Sequence, residues 1–471
     1  MKKSTDLQAI FFLGIGGIGM SALARYFHHN GYTVYGYDRT PSPLTRELEE
    51  EGMMIDYSDS VEWLKGIELE QQHTLVVRTP AVPEDSAIYT YLREQGFDIR
   101  KRAEVLGLVT REKKALCVAG THGKTTTSTM LAFLMANEQK ANGESDGVNA
   151  FLGGISMNYD TNVLIDPQSE YVVVEADEYD RSFHQLTPYI SVVTAVDPDH
   201  LDIYGTPEAY RDSFAHYTSL ITGALVMKKG LALQPRLQPG VKCYTYSTTE
   251  KADFYADNIR VAEGQITFDF HTPEETITDI RLGVPVWVNI ENAVAAMSVA
   301  WLVKGNGECF REKMASFRGV WRRFNIHVNT PEVAYIDDYA HHPQEIATAI
   351  DSIRKLYPTR KLIGVFQPHL YTRTRDFADG FAQVLSTLDE AILLPIYPAR
   401  ELPIPGVDSQ MLVRLMADGE GRKADVVEKK DLVAELKRRA AESQEPVVIL
   451  TVGAGDIDRL VPAIAEGLKN E

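Results

Sequence analysis

Short apolar runs alternate with polar, helically periodic stretches along this chain, a pattern that predicts parallel βαβ units. The first run, Ala9 to Leu13, leads through a glycine turn into a helix ending about His29; a second run, Thr33 to Tyr37, ends at Asp38. Another strand lies in HTLVVRTPAVP, and this segment closes near RAEVLGLV, residues 102 to 109. A middle segment opens with the strand KALCVAG, followed by a loop and a helix from about Thr125 to Asn137. Two further apolar strands end in acidic clusters, YVVVEADEYD and ISVVTAVDPDHLD. Residues 241 to 282 read as a β-rich insertion, and NIENAVAAMSVAWLV as a helix with small and apolar residues on its inner face. From about Asn325 the strands VAYID, KLIGVF, AILLPIY and PVVILTVGAG each precede a helix: HPQEIATAIDSIRKLY, RDFADGFAQVLSTL, SQMLVRLMA and a terminal one. That is a doubly wound pattern, with Pro343 where a first-turn proline is tolerated.

Composition narrows the picture. The chain has 471 residues, enough for about three domains of roughly 150 residues. Its net charge of −18 disfavours nucleic acid or a membrane surface as partner, since both call for a positive field. Cys117, Cys243 and Cys309 are too few and too far apart for a disulfide framework or a zinc site, so buried reduced thiols are expected. The opening MKKSTDLQAIFFLGIGG faintly resembles a signal peptide, but its regular glycines mark a folded element. No apolar run reaches membrane-spanning length, and a cytoplasmic protein is expected.

The chemistry concentrates at strand ends. CVAGTHGKTTT, residues 117 to 127, ends in the Gly-Lys-Thr of a phosphate loop, although Val118 stands where a standard loop has its first glycine. Between a strand and a helix, such a turn aims backbone amides and a helix N-terminus at an anion. Lys124 can reach terminal phosphates and Thr125 can place its hydroxyl on Mg²⁺; the alternative is a glycine turn with a solvated lysine. Glu175, Asp177, Glu178 and Asp180 follow an apolar strand at the sheet edge where ligands bind. His200, in DPDHLDIYG, belongs at the same edge, as a ligand or as a hydrogen-bonded surface residue. GIGGIGMS, with Gly14, Gly16 and Gly19 and with Asp38 ending the next strand, suits any nucleotide diphosphate. In the last segment, DDYAHHPQE and FQPHLYTRTR gather Asp338, His341, His342, His369, Arg373 and Arg375 on one edge, as a catalytic or carboxylate-binding rim.

AGTHGKTTT, EADEYDRSF, TAVDPDHLDIYG, NIENAVAA, RRF, DDYAHHP, FQPHLYTRT and TVGAGDI occur in one order, and nearly the whole chain resembles the Mur ligases of cell-wall peptide synthesis. The shortened phosphate loop is that family's usual form. The resemblance implies an α/β protein of three domains: a Rossmann-like domain for a UDP-sugar (1–110), a P-loop ATPase-type domain carrying the β-rich insertion (111–324), and a doubly wound Rossmann-like domain for the amino acid (325–471). It implies ATP-dependent joining of L-alanine to the lactyl carboxylate of UDP-N-acetylmuramic acid through an acyl phosphate, with Mg²⁺, in peptidoglycan precursor synthesis.

Carried residue by residue, the resemblance puts Gly120, Thr121, His122, Gly123, Lys124, Thr125 and Thr126 on the ATP phosphates. It puts Asn289 and Asn292 at the adenine, with Asn292 preferred. Arg323 falls on a phosphate-contacting arginine and Asp338 on a ribose-contacting aspartate. Thr125, Glu175 and His200 would hold metal, with Glu175 shared between two ions. Gly14, Ile15, Gly16, Gly17, Ile18, Gly19, Met20, Ser21, Asp38, Thr79, Pro80 and Ala81 would hold the UDP-sugar, and His341, His369 and Arg373 the alanine. The catalytic set would be Lys124, Glu175, His200, Arg323 and His341. Leu370 stands where the family usually has arginine, which leaves Arg373 alone, or Arg375, for the alanine carboxylate. The expected partners are these small substrates, with no nucleic acid and no membrane, in a monomer or weak homodimer. Rival readings are a murein-peptide recycling ligase acting on the same sugar nucleotide, an NAD-dependent oxidoreductase built on GIGGIGMS and Asp38, and a nucleotide-binding regulator without ligase activity.

Overall fold

Runs of five or six buried residues, such as Ala9–Leu13 and Val447–Val452, form central strands because both sheet faces are covered. The computed structural model describes residues 7–67, 69–79, 81–136, 147–262, 264–399, 401–417 and 424–469. The chain divides into two compact units. One comprises Met1–Asn258, Phe268–Ile280 and Glu291–Arg318; the other comprises Ile259–Thr267, Arg281–Ile290 and Gly319–Glu471.

The first sheet holds β1 (Ala9–Leu13), β2 (Thr33–Tyr37), β3 (Met54–Asp56), β4 (Thr74–Arg78) and β5 (Asp98–Lys101) in the order β3-β2-β1-β4-β5. All its pairings are parallel, and the order reverses beside β1. The second sheet has ten strands: β6 (Lys114–Ala119), β7 (Asn149–Ser156), β8 (Thr161–Leu164), β9 (Tyr171–Ala176), β10 (Pro188–Val193), β11 (Ala224–Lys228), β12 (Lys242–Ser247), β13 (Phe254–Ala262), β14 (Gln265–His271) and β15 (Thr276–Arg281). Its order is β15-β14-β13-β12-β11-β10-β6-β9-β7-β8, so β6 lies between β10 and β9. One apolar core runs from Ile10 and Phe12 of β1 to Cys117 of β6 and Val174 of β9. The third sheet holds β16 (Asn325–Asn329), β17 (Val333–Asp338), β18 (Lys361–Phe366), β19 (Glu390–Leu393), β20 (Ala424–Val426) and β21 (Val447–Val452), ordered β16-β17-β21-β18-β19-β20, with only β16 antiparallel to its neighbour.

These sheets bear out the α/β class. Three details depart from the reading of the pattern. The expected helix RDFADGFAQVLSTL is two, Tyr371–Asp376 and Ala378–Leu385, broken at Phe377, whose backbone leaves the helical region. The AILLPIY strand stops at Leu393. Of the cysteines, Cys117 is buried, Cys309 half-buried and Cys243 exposed; burial pushes the Cys117 thiol up to about 12. The helix that follows the Gly120–Gly123 turn spans Lys124–Met135, and Asn137 lies outside the described residues. Among the described residues no helix is long and apolar enough to cross a membrane.

Candidate active site

Val118, where a longer loop would have glycine, is a fully buried residue inside β6, paired in register with Glu175 of β9. The turn therefore begins only at Gly120, with φ of +141°. A β-carbon there would lie 2.1 Å from Thr194 Oγ1, and one at Gly123, φ +80°, would lie 2.7 Å from Asn292 Oδ1. Both positions require glycine. Gly123 caps the helix Lys124–Met135, whose first amides have no intrahelical partner and carry the positive end of the dipole. The short turn thus has the glycine geometry and the helix N-terminus that an anion cradle needs. Thr121 fixes its far side, donating to Asp197 O at 2.8 Å and sharing a 2.8 Å bond with Tyr210 Oη. Thr194 donates to the carbonyl of His122, which is itself exposed, while Thr126 is half-buried.

Lys124 folds back over this cradle. Its Nζ donates to Gly120 O at 2.8 Å and pairs with Glu178, 2.9 Å from Oε1 and 2.7 Å from Oε2. Glu178 is only 3% exposed along its side chain; burial raises its pKa while the Lys124 ammonium opposes the shift. Its carbonyl accepts Tyr204 Oη. Thr125 Oγ1 donates to Glu175 Oε1 at 3.2 Å. Glu175 lies over Gly153 of β7, where a β-carbon would fall 2.2 Å from Oε2. His200 takes the left-handed conformation, φ +51°, and its Nε2 stands 4.0 Å from Glu178 Oε1 and 3.7 Å from Asp199 Oδ2. Among the described residues, no three His, Cys, Asp or Glu side chains form a metal-binding group. The sequence placed Glu178 in an acidic cluster without singling it out as the lysine's partner, and it gave no sign of Gly153.

In the first turn, Gly14 (φ +86°) donates to Tyr37 O at 2.8 Å, and Thr79 Cγ2 lies 2.5 Å from where its β-carbon would stand. Gly17 caps the helix Ile18–His29, whose opening turn holds Ile18, Gly19, Met20 and Ser21. Ile15, Met20 and Ser21 are buried and shape the turn from its core side. Asp38, which in a dinucleotide site would take a ribose hydroxyl, instead accepts Gly16 N at 2.8 Å. Ala81 N donates to Thr79 Oγ1 at 3.4 Å, and Pro80 lies outside the described residues. On the helix Trp287–Lys304, Asn289 donates to Val284 O at 3.2 Å, whereas Asn292 accepts Thr127 Oγ1 at 3.2 Å, reaching the phosphate-turn helix.

In the second unit Arg323 sits between two residues with left-handed backbone, Arg322 (φ +61°) and Phe324 (φ +52°). Arg322 is buried and anchored: its Nε is 3.6 Å from Asp337 Oδ2, and its Nη atoms reach the carbonyls of Gly453 and Gly455. The Arg323 guanidinium lies 5.5 Å from the Tyr339 ring centre. Asp338 accepts Phe324 N at 2.8 Å and Ala340 N at 2.7 Å; burial raises its pKa, with Arg323 the main opposing charge. His341 Nδ1 is 3.0 Å from Tyr339 O and 3.3 Å from Glu345 Oε2. His369 stacks on Tyr397 and lies 3.5 Å from Arg373 Nη1. Burial lowers the pKa of both imidazoles, and Arg373 lowers each further. His342 turns instead to the Phe377 ring, and Arg375 to Asp376 at 2.7 Å. Leu370 holds φ +70° at the cap of the helix Tyr371–Asp376.

An anion cradle with its lysine, a hydroxyl-carboxylate pair beside it and a second glycine turn fit a nucleotide-dependent ligase, and the family comparison agrees. Residues 9–114 match the Mur ligase family catalytic domain, residues 118–300 the Mur ligase middle domain, and residues 322–455 the Mur ligase glutamate ligase domain; this chain belongs to the Mur ligase family. It is 54% identical to UDP-N-acetylmuramate–L-alanine ligase of Parabacteroides distasonis over 98% of this chain and 97% of that one. It is also 54% identical to the ligase of the same name from Phocaeicola vulgatus, over 99% of each chain. Among solved structures, UDP-N-acetylmuramate-alanine ligase from Thermotoga maritima matches with a TM-score of 0.78 at 27% identity, covering 98% of this chain and 99% of that one.

Proposed function

We propose that this chain joins L-alanine to the lactyl carboxylate of UDP-N-acetylmuramic acid in the cytoplasm, driven by cleavage of ATP to ADP and phosphate through phosphoryl transfer to that carboxylate. The observation that carries the reading is the short Gly120–Thr125 turn, with Lys124 on Glu178 and Thr125 on Glu175. Whole-length identity of 54% to ligases of that name supports alanine as the amino acid.

The chemistry follows from bringing two anions together, which makes catalysis mostly positioning and charge stabilisation. The carboxylate attacks the γ-phosphorus and ADP departs; the alanine amine then attacks the acyl carbon, and phosphate leaves with the former carboxylate oxygen. Lys124 would exchange Glu178 for the transferring phosphoryl oxygens. Thr125 and Glu175 are hard oxygen donors 3.2 Å apart, a set that fits Mg²⁺, which keeps phosphate and water ligands of its own. Bound there, the ion would neutralise charge on the phosphates. Glu175 with His200 is the proposed seat of a second ion. Residues 1–110 would hold the sugar nucleotide, 111–324 ATP and 325–471 the amino acid, with Asn292 at the adenine, Arg323 at phosphate and Asp338 at ribose. His341, His369 and Arg373 would receive alanine, Arg373 facing its carboxylate. We expect a monomer or weak homodimer.

The test is phosphate release from ATP and UDP-N-acetylmuramate with either L-alanine or the murein tripeptide. Release with L-alanine, falling about a hundredfold or more in Lys124→Ala, is expected. Release with tripeptide alone would favour the recycling ligase instead.

A further inference from the structure

The helix Arg102–Glu112 opens with Lys101 at its cap and Arg102 as its first residue, two cations at the positive end of the dipole, while Glu104 in the same turn accepts Lys101 N at 2.7 Å. Glu104 answers the cap amide and leaves both cations to partners outside the helix. Both cations reach the acidic segment after β9. Arg102 Nη2 lies 3.3 Å from Asp177 Oδ2, and Lys101 Nζ lies 3.0 Å from Asp180 Oδ2. Lys101 is largely exposed, whereas the Arg102 side chain is 28% exposed and lies across the glycine turn. A β-carbon on Gly19 would stand 3.0 Å from Arg102 Nη1 and 3.4 Å from Cζ. The third glycine of such a turn ordinarily admits close helix–strand packing; here its bare face admits a guanidinium. Arg102 thus touches the first turn of the helix Ile18–His29 and, from the same fork, a carboxylate two residues beyond Glu175.

We propose that Arg102 is a binding residue of the sugar-nucleotide site, pairing with anionic oxygens of the substrate on the Gly14–Ser21 turn and releasing Asp177 as it does so. This rests on the function proposed above. The planar fork suits phosphate or carboxylate oxygens equally, and the substrate offers both, in its diphosphate and its lactyl group. Releasing Asp177 would report occupancy of the sugar site to the edge that carries Glu175 and Glu178.

Titration calorimetry on the full chain, with UDP-N-acetylglucosamine (diphosphate only) and UDP-N-acetylmuramate (diphosphate and carboxylate), tests this. Arg102→Ala is expected to weaken binding about tenfold or more, as loss of a charged hydrogen bond does, with Arg102→Lys partly restoring it. Asp177→Asn frees the guanidinium and is expected to tighten binding. Equal weakening of both ligands in Arg102→Ala assigns the diphosphate as partner; weakening of the muramate alone assigns the carboxylate. Unchanged binding in Arg102→Ala, or equal weakening in Arg102→Ala and Asp177→Asn, would make the pair a strut between elements and overturn the proposal alone. A folded wild-type chain that takes up neither sugar nucleotide would overturn the proposal together with the function it rests on.

Discussion

At the scale of single residues, charge burial decides what each group does. Lys124 and Glu178 face each other with the carboxylate almost fully buried, and burial opposes that carboxylate's charge while the Lys124 ammonium supports it. The Gly-Lys-Thr string made Lys124 and Thr125 legible in the sequence. The choice of Glu178 among four neighbouring carboxylates was not, because the backbone turns just after it, at Asp180 (φ +50°) and Arg181 (φ +55°), in a way no periodic pattern marks. Asp337 was equally hidden. It accepts Thr451 Oγ1 at 2.8 Å and faces Arg322, yet burial outweighs both and raises its pKa to about 6. A raised carboxyl favours the folded state when protonated, and that contribution disappears as pH climbs through about 6. Asparagine mimics the protonated form at every pH. Chemical denaturation of wild type and Asp337→Asn between about pH 4 and pH 7 is therefore expected to show wild type losing about 3 kcal/mol relative to the variant. A stability difference that stays flat across that window would contradict this account of Arg322 and its partner.

Elements hold the reacting groups through close backbone approach. β7 runs parallel to β9 in the register Phe151↔Val174, and that pairing brings Gly153 beneath Glu175. Gly153→Ala is expected to leave the cooperative unfolding transition in place while displacing the carboxylate from Thr125, lowering kcat by about tenfold or more with the affinity for UDP-N-acetylmuramate unchanged. Wild-type kcat in this variant would remove Glu175 from the proposed ion site. The sequence carried the central strands β1, β6, β9 and β21 plainly, since they are continuous apolar runs. It carried β7 and β8 poorly, because NAFLGGIS and TNVL mix glycine and polar residues whose burial comes from neighbours. Asn162 of β8, fully buried, donates to Ser21 Oγ at 3.2 Å and so steadies the helix Ile18–His29; side-chain amides of this kind give no periodic signal. The split at Phe377 was invisible too, since residues 371–385 carry no proline to mark it.

On the scale of the whole molecule, three sheets in two compact units carry a glycine turn with its lysine, a second glycine turn and a histidine–arginine cluster. The order of motifs along the chain made this arrangement legible; the resting contacts of Lys124, Asp38 and Arg102 came only from the fold. The proposed reaction makes one demand on atoms: an oxygen of the sugar nucleotide's carboxylate must leave with the phosphate. The most direct measurement is mass spectrometry of the phosphate released when UDP-N-acetylmuramate labelled with ¹⁸O in its lactyl carboxylate is turned over with ATP and L-alanine. The account predicts one labelled oxygen in each phosphate, formed in step with the alanyl product. Unlabelled phosphate, or phosphate formed without that product, would contradict it.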